Sequence, residues 1–311
     1  MKEYIIALDV GGSSIKSALI EQNPQSKELT LIEDSYRMYD SKSKQSKDEI
    51  VENLIAIFKK QIDQLKGTDF SIKSLAIAFP GPFDYEKGIS LMQSLDKFDD
   101  LYQVNVTEEI RKKLIALNDS KLSADIPIVY ENDATAFALG EYVNGEAKGF
   151  HKAAFITLGT GCGSSFIEDG NLVKGKKGIP VSGMIFDAPF QDSIIDDYIS
   201  KRNILAIAKS HGFDIQQVDV KQLQQLAEQS NQQAKDVFIQ FGALLGSALG
   251  KYFFTFEPQV LVLGGRISNA FSLMKDSFYQ AIFPLKPKVA LSKDLSKSAL
   301  IGIAAYSQRF I

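Results

Sequence analysis

Residues 8–20 read LDVGGSSIKSALI, and residues 157–167 read TLGTGCGSSFI. Each stretch has an apolar run, a turn rich in glycine and serine, and a second apolar run, which is the pattern of a β-hairpin. The two stretches lie about half a chain apart, and such internal similarity indicates a duplicated unit. We therefore expect an α/β protein of two related lobes, with the glycine-rich tips of the two hairpins facing each other across a cleft.

The length and composition limit the class of protein. A chain of 311 residues suits two lobes of about 150 residues each. The 45% of hydrophobic and 23% of charged residues are typical of a soluble globular protein. A net charge of −3 argues against a nucleic-acid partner, because phosphate binding depends on clustered lysine and arginine. The apolar run at residues 4–8 is too short for a signal sequence or a membrane span, so we expect a cytoplasmic protein without a membrane partner.

The order of apolar patterns predicts how the lobes divide. Strands and helices are expected to alternate, with Thr107 as the N-cap of a helix over residues 107–117 and with one helix over residues 193–210. A last apolar helix over residues 298–309 is expected to pack back on the first lobe. The predicted N-terminal lobe comprises residues 1–120 and 298–311, and the predicted C-terminal lobe comprises residues 121–297.

The first tip, residues 11–14, has the composition of a phosphate-binding turn. Glycines and short hydroxyl side chains let backbone N–H groups approach a phosphate closely. Asp9 precedes the tip, and its carboxylate is the kind of oxygen ligand that Mg²⁺ binds, here through water. A tight hairpin that merely needs glycines explains the same residues, since a single glycine-rich turn is a weak signal. The phosphate-binding candidates are Asp9, Gly11, Gly12, Ser13, Ser14 and Lys16.

The second tip, residues 159–164, has glycines at alternate positions after an apolar strand. One such turn fits a plain hairpin, but two matching turns in a duplicated chain favour phosphate binding. A third glycine-rich turn follows the apolar residues 260–263, where adenine or ribose is expected, although the turn is also a common strand-to-helix loop. Cys162 has no cysteine partner in the chain, and we interpret it as a small buried residue. The nucleotide-binding candidates of this half are Gly159, Thr160, Gly161, Gly163, Gly264 and Gly265.

The dipeptide Asn132-Asp133 ends an apolar strand and precedes a helix of small residues. Functional side chains often lie at the carboxyl ends of strands in α/β folds. A carboxylate there can accept the proton of a substrate hydroxyl that attacks a γ-phosphorus. The alternative is that Asp133 simply caps the following helix, and the two roles are compatible.

Five segments follow one another in an order that identifies a family. They are DVGGSSIK (residues 9–16), AFPGPFD (78–84), ENDATA (131–136), LGTGCG (158–163) and LGG (263–265). In this order the chain resembles the ROK family of sugar kinases and sugar-responsive repressors, which belongs to the actin/hexokinase/Hsp70 superfamily. The resemblance implies a two-lobed actin-like ATPase fold with duplicated ribonuclease H-like lobes. It also implies ATP and Mg²⁺ as cofactors, Asp133 as the catalytic base, Asn132 as a sugar contact and, frequently, a homodimer.

One segment departs from the family pattern. Many members carry a Gly-Glu-Ile-Gly-His segment that holds the sugar and the metal, followed by a zinc-binding cysteine cluster. The corresponding stretch here reads GIPVSGMI (residues 178–185), which puts Val181 at the Glu and Met184 at the His, and no cysteine cluster follows. We therefore expect no zinc site and a sugar site without those two groups. Either other residues replace them, with the charged segment 95–99 as a candidate, or the substrate differs from glucose.

The leading hypothesis is an ATP-dependent kinase that phosphorylates a hydroxyl of a small sugar, either a hexose or an amino-sugar derivative. Asp133 is the expected base, and the sugar is expected near Gly81, Asn132 and Asp133. The alternative is a sugar-sensing member of the family with weak or no catalysis. Because the first strand is expected at residue 4, this alternative carries no DNA-binding domain.

Overall fold

The computed structural model describes residues 1–65, 69–117, 119 and 121–311. The chain forms two compact units, of which the first is discontinuous in sequence. The first unit consists of residues Met1–Asn144 and Ser296–Ile311, and the second consists of residues Gly145–Leu295.

Strands and helices alternate through the first part of the chain. The strands are β1 (Lys2–Val10), β2 (Ser14–Gln22), β3 (Leu29–Leu31), β4 (Arg37–Asp40), β5 (Phe70–Phe79), β6 (Phe83–Asp84), β7 (Ile89–Ser90) and β8 (Ile128–Asn132). The helices are α1 (Lys47–Ile62), α2 (Val106–Leu117) and α3 (Asp133–Asn144).

The second unit opens with a hairpin and continues mainly as helices. Its strands are β9 (Lys152–Leu158), β10 (Cys162–Glu168), β11 (Asn171–Leu172), β12 (Pro189–Phe190), β13 (Ser193–Ile194), β14 (Val260–Gly264) and β15 (Lys288–Leu291). Its helices are α4 (Ile195–Tyr198), α5 (Lys201–Ser210), α6 (Val220–Glu228), α7 (Gln232–Phe256) and α8 (Phe271–Ala281). The chain then returns to the first unit in α9 (Leu295–Ser307).

The two units are built on sheets of the same plan. In the first unit the strand order is β3-β2-β1-β5-β8, with β4 also paired to β2. The hairpin β1–β2 is antiparallel, whereas β5 and β8 run parallel to β1. In the second unit the order is β11-β10-β9-β14-β15, again with an antiparallel hairpin (β9–β10) followed by two parallel strands. The duplication predicted from the two similar stretches is therefore confirmed.

The core of the first unit forms where α1 and α2 cover one face of its sheet. Alternate residues of β1 and β5 and the apolar sides of both helices join one buried cluster. Helix α1 begins with a capping box, in which the Ser46 hydroxyl accepts from the Glu49 N–H and the Glu49 carboxylate accepts from the Ser46 N–H. This box satisfies two N–H groups that a helix start otherwise leaves without partners.

Helix α9 packs against α3 with almost no space between their backbones. A Cβ added to Gly140 would fall 1.8 Å from the carbonyl oxygen of Ser298, and one added to Gly302 would fall 1.8 Å from that of Ala136. Only glycine permits such an approach. The expectation that the last helix packs back on the first lobe is confirmed.

Helix α7 is the longest helix of the second unit and part of its core. Its length and apolar composition would suit a membrane span, but 61% of its most apolar window is buried inside the structure. Gly242 and Gly246 lie against the carbonyl oxygens of Met274 and Phe278 in α8, at 2.5 and 2.6 Å from an added Cβ. The two glycines therefore allow α7 and α8 to pack closely.

Three expectations differ from the structure. The units divide between Asn144 and Gly145 rather than at residue 120, because β8 pairs with β5 and brings α3 into the first unit. The expected helix over residues 193–210 is interrupted, since Ser200 is extended and the N–H of Lys201 bonds to Gly159 instead of continuing a helix. Helix α2 begins at Val106, one residue before the predicted N-cap.

Candidate functional site

The carboxyl ends of β1, β5 and β8 lie side by side in the first unit. Asp9 is paired with Ala78, Ala78 is paired with Glu131, and Phe79 is paired with Asn132. Neighbouring strands are about 4.8 Å apart, so three segments that carry predicted site residues leave the sheet at one edge. These segments are the first tip after β1, the turn at Gly81 after β5, and Asp133 after β8.

The first tip has two backbone N–H groups that donate no hydrogen bond to any described residue. The Gly11 N–H closes the turn on the Ser14 carbonyl at 2.9 Å, whereas the N–H groups of Gly12 and Ser13 donate to no other described residue. The Gly12 carbonyl accepts hydrogen bonds from the hydroxyls of Ser41 and Ser43. Because a trans peptide directs its N–H opposite to its carbonyl, these bonds fix the direction of the Ser13 N–H.

The second tip repeats this arrangement in the second unit. The Gly159 N–H closes on the Gly161 carbonyl at 3.1 Å, and the N–H groups of Thr160 and Gly161 donate to no other described residue. The Gly159 carbonyl accepts from the Lys201 N–H at 2.8 Å, which fixes the direction of the Thr160 N–H in the same way. The Gly163 N–H is used within the hairpin, where it donates to Oγ1 of Thr157 at 3.1 Å.

A carboxylate from outside the hairpin holds the second tip. The Cys162 N–H donates to Oδ1 of Asp196 at 2.6 Å, and Arg202 pairs with Oδ2 of the same carboxylate at 2.8 Å. A Cβ added to Gly161 would fall 2.7 Å from Oδ1 of Asp196, so any side chain at this position would have to displace that carboxylate. No sequence motif singles out Asp196 and Arg202, which lie in the segment 193–210 that is expected as one continuous helix.

Asn132, rather than Asp133, is the principal cap of α3. Its Oδ1 accepts from the N–H of Ala134 at 2.9 Å and from the N–H of Thr135 at 3.3 Å. Asp133 accepts from the Ala134 N–H through Oδ1, at 2.9 Å, and no other described residue donates to its Oδ2. One Asp133 oxygen is thus left for other partners, and helix capping does not account for the residue by itself.

Several charges act on the pKa of Asp133. Its side chain stays accessible to solvent, yet surrounding protein removes part of the water that would stabilise its charge, and this desolvation raises the pKa. The negative charge of Asp9 raises the pKa of Asp133 further, while the Ala134 N–H and the positive charge of Lys97 lower it, and the net effect is upward. A carboxylate with a raised pKa is a stronger base than an ordinary aspartate.

Asp9 and Lys16 form an ion pair across the hairpin. They are opposite each other in β1 and β2, and Nζ of Lys16 lies 3.5 Å from Oδ2 of Asp9. Asp9 is buried, with 6% of its surface exposed. The charge of Lys16, expected to lie at the phosphates, is therefore shared with Asp9 in this structure.

Gly81 and Asn132 meet at Tyr85, a partly buried tyrosine that no sequence motif singles out. The Tyr85 hydroxyl donates to the Phe79 carbonyl at 3.1 Å and accepts from Nδ2 of Asn132 at 3.2 Å. A Cβ added to Gly81 would fall 3.2 Å from the same hydroxyl. Burial raises the pKa of Tyr85, so the group stays a neutral hydroxyl.

The third glycine-rich turn has a structural explanation of its own. Gly265 has a φ of +88°, and a Cβ added there would fall 2.2 Å from the carbonyl oxygen of Leu158. Gly264 ends β14 and is paired with Thr157 of β9. Both glycines therefore lie beside the strand that leads into the second tip, and neither needs a nucleotide to explain it.

The segment that departs from the family pattern lies on the surface of the second unit. Val181 is 84% exposed, and Met184 is partly buried. Within residues 1–65, 69–117, 119 and 121–311, no group of three or more His, Cys, Asp or Glu side chains is arranged to hold a metal ion. Cys162 is buried, as predicted, with 4% of its surface exposed.

Known proteins resemble this chain in sequence. It is 29% identical to an N-acetyl-D-glucosamine kinase of Salmonella paratyphi B over 219 residues, which cover 64% of this chain and 67% of that protein. It is 24% identical to the xylose repressor of Bacillus subtilis over 284 residues, which cover 88% of this chain and 67% of the repressor. Its relatives therefore include both sugar kinases and a repressor.

Solved structures share its fold over nearly the whole length. The ROK hexokinase from Thermus thermophilus has a TM-score of 0.75 and 19% identity, with 100% of this chain and 99% of that chain covered. A ROK family glucokinase from Streptomyces griseus, in complex with glucose and AMPPNP, has a TM-score of 0.71 and 19% identity, with coverages of 98% and 99%. The predicted two-lobed actin-like ATPase fold is thus confirmed. The ROK family model matches residues 5–308, and the chain belongs to the ROK family.

Proposed function

We propose that this protein is an ATP-dependent kinase that phosphorylates a hydroxyl group of a small sugar. The observation that carries the proposal is the repeated pair of unused backbone N–H groups in the two tips. Successive N–H groups in such turns form anion-binding concavities, and phosphate chains are their usual ligands. The sugar kinases among the relatives support the same reaction class.

Each unit has its own part in nucleotide binding. In the first unit, the N–H groups of Gly12 and Ser13 bind phosphate oxygens, with Gly11 and Ser14 closing the turn. In the second unit, the N–H groups of Thr160 and Gly161 do the same, with Gly159 and Gly163 holding the hairpin. We assign the nucleoside to the turn at Gly264 and Gly265, which lies beside the strand that leads into that tip.

Asp133 is the general base of the proposed reaction. Its free oxygen accepts the proton of a sugar hydroxyl as that oxygen forms a bond to the γ-phosphorus, and the bond from this phosphorus to ADP breaks. The raised pKa of Asp133 supports this role. Asn132 keeps its Oδ1 on the helix and one N–H on Tyr85, so its second N–H is the donor that we assign to the sugar, next to Gly81.

The residues present fit a magnesium ion that is bound mainly by phosphate and water. Asp9 and Asp133 are close enough for the charge of one to raise the pKa of the other, so two carboxylates lie within range of one cation. Magnesium typically uses one or two carboxylates and keeps several waters. When bound, Mg²⁺ would neutralise charge on the transferred phosphate, with Asp9 holding it through water.

A substrate panel tests the proposed function. ADP release is measured with glucose, mannose, xylose, N-acetylglucosamine and N-acetylmannosamine, in wild type and in Asp133→Asn. We expect turnover with at least one sugar in wild type and its loss in the variant. Absence of turnover with every sugar would contradict the proposal.

A sugar sensor without catalysis is the second candidate. The exposed Val181 and the partly buried Met184 stand where the family pattern has sugar-binding Glu and His, and the similarity to the xylose repressor points the same way. Sugar binding by calorimetry without ADP release would favour this candidate. The homodimer and the cytoplasmic location stay predictions, and light scattering of the purified protein tests the first of them.

A further inference from the structure

Lys97 lies over the first tip. A Cβ added to Gly12 would fall 3.2 Å from Cδ of Lys97 and 3.8 Å from its Cβ. The aliphatic part of the lysine therefore packs on the glycine, at the tip that presents the unused N–H groups of Gly12 and Ser13. The side chain is partly buried.

The loop that carries Lys97 is held on both sides of it. The Asp99 carboxylate accepts from the N–H groups of Leu95 and Asp96 at 3.0 and 3.1 Å. Phe98 is buried against Phe79, with 5.2 Å between ring centroids, and its N–H donates to the Ser43 carbonyl at 2.6 Å. The Ser43 hydroxyl in turn bonds to Gly12. The loop and the first tip are thus joined through one residue, and the position of Lys97 is set by both.

The carboxylates next to Lys97 along the chain are engaged elsewhere. Asp96 pairs with Lys44 at 2.5 Å, and Asp99 binds the backbone of its own loop. Among the described residues, Lys97 has no ion pair or side-chain hydrogen bond, whereas Lys16, the other lysine at this tip, is paired with Asp9. The ammonium group of Lys97 is therefore available to an anionic ligand at the first tip.

We propose that Nζ of Lys97 binds the γ-phosphoryl group of ATP and stabilises the charge that this group carries during transfer. The inference rests on the proposed kinase function and adds a cation that the family resemblance did not supply. A compact ammonium group suits phosphate oxygens as a point charge. The stem packed on Gly12 keeps the group beside the N–H donors of the first tip, and the positive charge acts on Asp133 as well.

Two variants and a matched control test the role of Lys97. Lys97→Met keeps the stem and removes the charge, Lys97→Arg restores a charge, and Lys113→Met removes a lysine that pairs with Glu52 on the helical surface of the same unit. We expect Lys97→Met to lower kcat about 10²-fold with an unchanged KM for sugar. Lys97→Arg should recover part of the rate, and Lys113→Met should behave as wild type. An unchanged kcat, or a rise in sugar KM alone, would overturn the inference.

A binding measurement separates this inference from the proposed function. The affinities for ADP and for AMPPNP are measured by calorimetry with Mg²⁺ present. If Lys97 contacts the γ-phosphoryl group, Lys97→Met should bind AMPPNP about tenfold more weakly than wild type and should bind ADP with unchanged affinity. If wild type phosphorylates no sugar, the proposed function fails. The role of Lys97 is then decided by whether Lys97→Met weakens AMPPNP binding and leaves ADP binding unchanged. An equal loss for both nucleotides, no loss for either, or a wild type that binds neither would each overturn it.

Discussion

The backbone N–H of Cys162 donates a hydrogen bond of 2.6 Å to Oδ1 of Asp196, a residue 34 positions further along the chain. The same oxygen occupies the space where Gly161 would carry a Cβ. One carboxylate therefore both holds the second tip and fills the space that a side chain at Gly161 would need. Its second oxygen is held by Arg202, so the support is a small charged network rather than a single bond.

Replacing Asp196 should weaken nucleotide binding. In Asp196→Ala the tip loses a charge-assisted hydrogen bond, which contributes about 1.5–3 kcal/mol when the acceptor is charged. We expect the KM for ATP to rise about tenfold with a smaller change in sugar KM, as measured by steady-state kinetics. Asp197→Ala is the matched control, because Asp197 pairs with Arg202 but does not bond to the tip. Equal effects of both variants would remove Asp196 from this role.

Valine at the tip glycines should also raise the KM for ATP. In Gly161→Val the added side chain displaces Asp196, and in Gly12→Val it meets the stem of Lys97 at 3.2 Å. Both changes move the N–H groups assigned to phosphate. Gly250→Ala in α7 is the control, since its Cβ meets no atom closer than 3.8 Å. Wild-type KM values in both valine variants would contradict the proposed phosphate contacts.

Asp133→Asn should reduce turnover about 10³-fold, a value typical of a lost general base. The amide cannot accept the proton, whereas the cap of α3 is retained by Asn132. AMPPNP affinity, measured by calorimetry, should stay near that of wild type. A variant with a near-normal rate would exclude Asp133 as the base.

The raised pKa of Asp133 predicts two pH effects. As a base it works ionised, so kcat/KM should fall with decreasing pH at a higher pH than for an ordinary aspartate. The folded-state pKa lies above the unfolded value near 3.8, so the stabilising contribution is full below that value and is lost as pH rises through the folded pKa. Asp133→Asn should therefore raise Tm at pH 7, and this gain should vanish in acid. A gain in Tm that does not depend on pH would contradict the assignment.

Tyr85→Phe should disturb the sugar site without removing the base. The variant leaves the Phe79 carbonyl without its donor and releases Nδ2 of Asn132. We expect a loss of about 1–2 kcal/mol in the free energy of unfolding, together with a rise in sugar KM and little change in the KM for ATP. Tyr102→Phe on the exposed side of the same unit is the control. If Tyr85→Phe raised only the KM for ATP, Tyr85 would not act on the sugar site.

Cys162 should resist alkylation in the folded protein. Burial and the neighbouring Asp196 charge raise the pKa of its thiol to about 12, and the thiolate is the reactive form. With iodoacetamide at pH 8, mass spectrometry should detect little adduct in native protein and one adduct after denaturation, since the chain has a single cysteine. Rapid labelling of the native protein would show that the second tip is more open than in this structure.

The repeated hairpins were predictable because their signal is local. A glycine-rich turn between two apolar runs specifies which strands pair, and the turn sets their register. The division between the units was not predictable in this way. It depends on the parallel pairing of β8 with β5, which joins residues about 50 positions apart and leaves no mark in the sequence near residue 120.

In the candidate site, too, some features follow from local sequence and others depend on contacts between distant segments. The residue types of the tips and of Asn132-Asp133 raise phosphate binding and a base as candidates, because backbone freedom and carboxylate chemistry belong to single residues. The family resemblance favours these roles over a plain hairpin and a helix cap, and both roles stay predictions. Tertiary structure alone decided that Asn132 caps the helix, that Asp196 holds the second tip, and that Lys97 lies on Gly12. The last two contacts join segments far apart in sequence, and only the folded chain places such segments next to one another.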